Sequence, residues 1–293
     1  MCVLDHLLKM EALHSRVVWW RASFFFVVCL LLLIVGQVDY SRLVGTLRRN
    51  HDYVARVRIS GEISRSRARE AMMARLAESD SVKALVLRID SPGGTVGDSE
   101  ALYQQIREIA LKKPVVAVLG NIAASGGYMA AIAADHVVAR HGTITGSIGV
   151  ISQYIGVAEV AGKLGITLKS IKTAPLKSNM SPLEELSPEG ESIIQGVVDD
   201  FHVFFTDLVA ERRGLAPDKV SVVSDGRIYT GAQALQVGLV DAIGGEKEAL
   251  EWLKTQRDVD VRVVKDVDYQ RIDSSLPALF SSAIQHLYVL LFG

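Results

Sequence analysis

The pattern of apolar and polar positions changes character near residue 52. Before it, Ala22 to Val38 forms an uncharged run of 17 residues in which only Ser23 and Gln37 are clearly polar. A run of that length just spans a bilayer as a single helix. After it the chain breaks into short periodic segments. Tyr53 to Ile59 alternates as a half-buried strand does, and residues 64–78 place Ala71, Met72 and Leu76 on one helical face. Val82 to Ile89 reads as a second strand, residues 98–111 as a helix, and Pro114 to Leu119 as a buried third strand. Ser125 to Ala134 is small and apolar enough for a buried helix. This βαβαβα order predicts an α/β fold with parallel strands and crossover helices, with sites at the carboxyl ends of the strands.

Further on, the pattern predicts a short strand at His136 to Ala139, a short helix at residues 159–163 and a strand at residues 167–171. A polar loop, residues 172–187, then leads to Ser187-Pro188-Glu189, which opens the longest helix. That helix runs to about Arg213, with an apolar stripe of Ile194, Val197, Phe201, Phe204, Phe205 and Leu208 expected in the core or a subunit contact. A helix after Thr230, another from Glu246 to Gln256 and a strand from Val259 to Val264 complete the body. The organisation expected is a flank (1–21), a transmembrane signal-anchor (22–38), a linker (39–52), a main domain (53–265) and an apolar tail (266–293) that contacts membrane or another subunit.

Composition narrows the function. With a net charge of −1 the chain lacks the basic footprint of a nucleic-acid binder. Trp19 and Trp20 fit an interfacial belt, and Lys9, Arg16 and Arg21 precede the apolar run as a signal-anchor's positive flank would. No Ala-x-Ala-like site follows the run, so the anchor is expected to stay uncleaved, single-pass, with the body exported. Cys2 and Cys29 are the only cysteines, so the body holds no disulfide framework and no thiolate metal site.

Candidate chemistry centres on Gly120-Asn121-Ile122-Ala123-Ala124-Ser125-Gly126-Gly127-Tyr128. A serine at a helix start exposes its hydroxyl beside backbone N–H groups that have no intrahelical acceptor, which suits a nucleophile. The same position also suits a helix N-cap serine, and the stretch alone does not choose. A serine nucleophile needs a base. His136 and His141 follow it closely, and His51, His202 and His286 lie elsewhere in the body. A neutral lysine would serve if burial lowered its pKa by roughly 3 units. Lys163, Lys169, Lys172 and Lys177 are the candidates, and the residues alone leave the choice open.

Five motifs together resemble the signal peptide peptidase A family of membrane-bound Ser/Lys proteases. They are Asp90-Ser91-Pro92-Gly93-Gly94, the Gly120 to Tyr128 stretch, Thr145-Gly146-Ser147-Ile148-Gly149-Val150, Gly226-Arg227-x-Tyr229-Thr230-Gly231, and Gly238-Leu239-Val240-Asp241. The resemblance covers roughly residues 53–250. It implies a Clp/crotonase-like ββα spiral fold, Ser125 as nucleophile and Lys177, with Ser181-Pro182 just beyond, as general base. Ala174-Pro175-Leu176 departs from the family's flanking pattern, which leaves Lys172 as a rival. Ser147 is implied to orient the lysine, and the N–H groups of Gly93 and Gly126 to form the oxyanion hole. No metal and no cofactor is implied.

The resemblance further implies hydrophobic peptide substrates such as remnant signal peptides, an acyl-enzyme, and a place in the bacterial inner membrane with the catalytic domain on the periplasmic side. Short, single-domain forms of the family assemble into homo-oligomers in which one subunit's serine meets its neighbour's lysine. Three alternatives stand against this reading: a Clp-like Ser-His-Asp peptidase, a crotonase-like acyl-CoA enzyme, and a non-catalytic membrane scaffold.

Overall fold

Alternation along the strands decides which side of the sheet each residue faces. In a computed structural model, which describes Trp20, residues 52–178 and residues 180–269, strand β1 (Tyr53–Ser60) buries Ala55, Val57 and Ile59 on one side. On its other side Val54 is buried and Arg58 is exposed. The chain divides into two units, Met1–His51 and Asp52–Gly293, and the fold described is that of the second. The expected transmembrane span 22–38 and the tail beyond residue 269 lie outside the described residues. Among the described residues no helix is long and apolar enough to cross a membrane.

In chain order, β1 is followed by α1 (Arg67–Glu78), β2 (Val82–Ser91), α2 (Val96–Ala110), β3 (Val115–Ala124), α3 (Gly126–Ile132), β4 (His136–Ala139) and β5 (Ile144–Gly146). Then come α4 (Ala158–Lys163), α5 (Pro188–Arg213), α6 (Pro217–Val223), β6 (Ile228–Thr230), α7 (Gly231–Gln236), β7 (Ala242–Ile243), α8 (Glu246–Arg257) and β8 (Val264–Val267). The sheet runs β6-β5-β3-β2-β1-β8, with β4 pairing β3 and β7. Every pair is parallel except β5 with β6. The expected parallel α/β architecture is therefore present.

Because β2 and β3 sit inside the sheet, both their faces need cover. Leu85, Leu87, Ala117 and Leu119 pack with Met72 and Met73 of α1, Ile106 of α2, and Phe205 and Val209 of α5. Val86, Val116 and Val118 face the other way, onto Ala249 and Leu253 of α8. Helix starts follow capping chemistry: the Ser66 hydroxyl accepts the Arg69 N–H, so α1 begins at Arg67 rather than at the expected Ser64. Ser187 caps α5 ahead of Pro188, and Gly214 at φ 59° ends it.

Several expectations are corrected. No strand forms at residues 167–171, because no neighbouring strand offers a ladder there; Ile171 is 97% exposed. The last strand is shifted from 259–264 to Val264–Val267. An αL turn at Asp258 and the bond from Val259 N–H to Leu253 O close α8 first, and pairing with β1 begins at Val264. The stripe of α5 reaches the core only in its second half: Phe205 is buried, and Val197 and Phe201 are exposed. Strand β3 runs on through Gly120 to Ala124, past the expected end at Leu119, because Ile122, Ala123 and Ala124 pair with β5.

Candidate active site

At the end of β3 the chain turns into α3 through a single residue. Ser125 has φ 52° and ψ −123°, a conformation that an L-residue adopts at a cost of about 1–3 kcal/mol. Two backbone bonds hold it there: Ser125 N–H to Gly146 O and Met129 N–H to Ser125 O, both 2.9 Å. The Ser125 side chain makes no capping bond. Of the two readings of this serine, the cap is thus not the role its hydroxyl takes. The strained strand-to-helix turn is the geometry that lifts a nucleophile out of a parallel sheet.

Glycines let the neighbouring backbone approach. Gly93, at φ +111°, lies so close that a Cβ built on it would be 2.9 Å from Gly126 N and 3.1 Å from Ser125 Cβ. A Cβ on Gly127 would lie 2.5 Å from Ser91 O. As the first residue of α3, Gly126 has an N–H with no intrahelical acceptor. The Gly93 N–H donates to the buried Ser91 Oγ at 3.1 Å. Of the two expected oxyanion donors, the Gly93 amide is therefore engaged within its own turn.

Ser147 stands beside this elbow. Gly146 of β5 pairs with Ala124 of β3, so Ser147 and Ser125 leave neighbouring strands at the same level. Ser147 also has φ 52°, and its N–H donates to Arg227 O at 2.8 Å. Both serines line a cleft of about 650 Å³ together with Val198, Asp199 and His202 of α5.

Lys177 does not line that cleft. It is exposed, in a turn where its N–H donates to Ala174 O at 3.2 Å and the next residue, Ser178, has φ 63°. Lys172 is ion-paired with Glu184, whose carboxyl pKa is lowered first by that bond and then by one from the Ser170 hydroxyl. Lys172 is thus engaged by a carboxylate of its own segment, and it does not line the cleft. His202 reaches the cleft, with Nε2 2.8 Å from Ser224 O, and no described carboxylate bonds its ring, so it lacks the orienting partner of a Ser-His-Asp triad. His136 stacks on Trp252 of α8 at 4.8 Å between centroids and is no part of the cleft.

The remaining motifs brace the elbow. The buried Tyr128 donates its hydroxyl to Leu239 O at 2.7 Å, and burial pushes its pKa up. Arg213 Nε donates to Gly238 O at 2.8 Å, and its Nη2 lies 2.6 Å from Asp241 Oδ1. Asp241 Oδ2 also accepts the Val137 N–H at 2.7 Å. At the other end of α3, Arg212 donates to Ile132 O and Ala134 O, and Arg107 to Ala133 O, at 2.8–2.9 Å. These guanidinium groups satisfy the helix's last carbonyls. Sequence reasoning missed Arg107, Arg212 and Arg213; the adjacent arginines ending a long helix were the one visible signal.

Comparison with known proteins adds the lineage. The Peptidase family S49 model matches residues 107–260. A putative protease of Synechocystis is 44% identical over 209 residues, covering 71% of this chain and 75% of its own. The chloroplastic serine protease SPPA of Arabidopsis thaliana is 32% identical, over 83% of this chain and 39% of its own. A putative signal peptide peptidase SppA of Enterococcus faecium is 36% identical, over 62% of this chain and 54% of its own. This chain thus spans well under two thirds of the plant and enterococcal proteins. With a family model covering more than half of it, and these relatives beside it, the chain belongs to the signal peptide peptidase A family, peptidase family S49.

Proposed function

We propose that this protein is a membrane-anchored serine peptidase in which Ser125 attacks peptide carbonyls and Lys177 of a second copy serves as base. The observation that carries the reading is the strained, uncapped Ser125 at the mouth of a cleft, beside Ser147 and the Gly126 amide. The second copy is argued from the lysine's surroundings. Lys177 lies on a segment, residues 151–187, that leaves Ile151, Ile155, Leu164 and Ile171 each more than 70% exposed. Four such side chains within 21 residues support a docking face on this segment.

In the proposed reaction the neutral Lys177 amine takes the Ser125 proton as Oγ bonds to the carbonyl carbon. The carbonyl oxygen gains the charge and is met by the Gly126 N–H, joined by the Gly93 N–H once that leaves Ser91 Oγ. The lysine passes its proton to the departing amine, leaving an ester on Ser125. It then deprotonates a water that attacks the ester, releasing a carboxylate and restoring the serine. Ser147 holds the lysine in place. The substrates proposed are hydrophobic peptides, remnant signal peptides among them. The proposed site of action is the periplasmic face of the bacterial inner membrane, with residues 22–38 as the anchor.

The test is hydrolysis of a hydrophobic, alanine-containing peptide by wild type, Ser125→Ala and Lys177→Ala. Both variants are expected to be inactive, and an equimolar mixture under subunit exchange to recover part of the activity. Substantial turnover by either variant alone would overturn the dyad. A mixture that stays inactive while wild type remains active would overturn its sharing between copies.

A further inference from the structure

We propose that Asp199 gives the cleft a preference for a peptide that carries a basic side chain beside its apolar segment. The inference rests on Ser125 as the nucleophile and concerns what the same cleft selects. Helix α5 lines the same cleft as the serine with Gln195, Val198, Asp199 and His202, at spacings of three, four and seven residues that share one helical face. Two carboxylates line the cleft, and no lysine or arginine does. Asp225 is already neutralised: Arg227 Nε donates to both its oxygens, at 2.8 and 2.7 Å. Asp199 has no cationic partner among the described residues. Gln195 Nε2 donates to its Oδ1 at 2.7 Å, which orients the carboxylate, and no bond to its Oδ2 is made among the described residues.

The cleft also continues. A second cavity of about 460 Å³ shares Val150, Ile151, Gln195 and Val198 with it and adds Tyr154, Leu186 and Ile194, with Glu191 and Ser152 as its further polar lining. A chain laid from Ser125 along α5 therefore passes the Asp199 carboxylate and then enters a chamber walled mainly by apolar side chains, with Glu191 as its one carboxylate. A lysine or arginine whose stem lies on Val198 and whose head meets Asp199 fits the first part, and an aliphatic run fits the second.

The experiment uses the full-length protein and two internally quenched peptides that share one aliphatic segment and differ only by Lys or Gln near the scissile bond. Wild type is expected to cleave the Lys peptide with a kcat/KM about two- to five-fold higher, the scale of an exposed ion pair. The ratio should fall to about one in Asp199→Asn, and also in about 0.5 M salt, where exposed pairs are screened. A wild-type ratio of one, or a ratio that survives Asp199→Asn, overturns the proposal. So does an equal loss on both peptides with the ratio kept, since Asp199 would then be acting on the base. Anisotropy binding of the same peptides to full-length Ser125→Ala reads the preference without turnover. Binding preference without hydrolysis by wild type defeats the nucleophile and spares the pocket, whereas hydrolysis without preference does the reverse.

Discussion

Ser99 fills the space that a side chain on Gly126 would need. A Cβ built on Gly126 would lie 2.1 Å from Ser99 Oγ and 2.9 Å from Ser99 Cβ, and Ser99 is buried in α2 with its hydroxyl unpartnered. Gly126→Ala is therefore expected to cost about 1–3 kcal/mol by overpacking and to abolish activity by displacing the Ser125 elbow. Ser99→Ala alone should be close to neutral, because no hydrogen bond is lost. Combined, the two should be less destabilising than their sum, since the closest clash is gone. Urea unfolding of the three variants measures this; additive costs would refute the contact.

Backbone strain at Ser125 gives a second expectation. Glycine tolerates φ 52° with ψ −123°, whereas alanine shares serine's penalty. Ser125→Gly should raise stability by about 1 kcal/mol and abolish turnover, while Ser125→Ala should abolish turnover with no such gain. Thermal unfolding of the two variants side by side decides it, and equal melting temperatures would contradict the strain.

Asp241 supplies a pH dependence. Burial alone would raise its carboxyl pKa, and the bond and charge of Arg213, the Val137 N–H and the nearby His136 together bring the net shift down. A carboxyl whose folded pKa is depressed stabilises fully above its unfolded value and loses that contribution as pH falls through the folded one. The loss is therefore expected below about pH 4. Asp241→Asn should cost about 2 kcal/mol near neutrality, with Arg213 deprived of its carboxylate, and should flatten the acid limb of the stability curve. Equally steep acid limbs for variant and wild type would remove Asp241 from the account.

The segment carrying Lys177 can be tested without touching the lysine. Ile171 is 97% exposed, so Ile171→Glu should leave the stability of one chain within about 0.5 kcal/mol. If the segment docks on a second copy, the same change should shift sedimentation toward monomer and lower activity together. Unchanged assembly with full activity would free this surface from that role.

How far these features could be read in advance depended on range. Strand β2 and helix α5 were legible because their periods are local and long, and α5 carries Ser-Pro at its start and Gly214 at its end. Strands β5 and β6, three residues each, are too short to show a period and exist because they pair with each other and β5 with β3. Residues 167–171 had the right residues and no partner strand. At the site, Ser125 was visible from the small residues around it, but its strain, the engagement of the Gly93 amide by Ser91 and the arginine caps on α3 all rest on distant contacts. Choosing Lys177 required resemblance, because an exposed turn lysine carries no local mark of a base.

The pairing of Ala124 with Gly146 has a kinetic meaning. It sets Ser125 and Ser147 one residue beyond the ends of adjacent parallel strands, and so fixes their backbone spacing by the strand ladder when a single chain folds. On the proposed reading, a base supplied by a second copy meets two serines whose backbones are already in register. On that reading the onset of activity follows chain concentration as a bimolecular encounter does, and the one adjustment left on the serine side is release of the Gly93 amide from Ser91 Oγ.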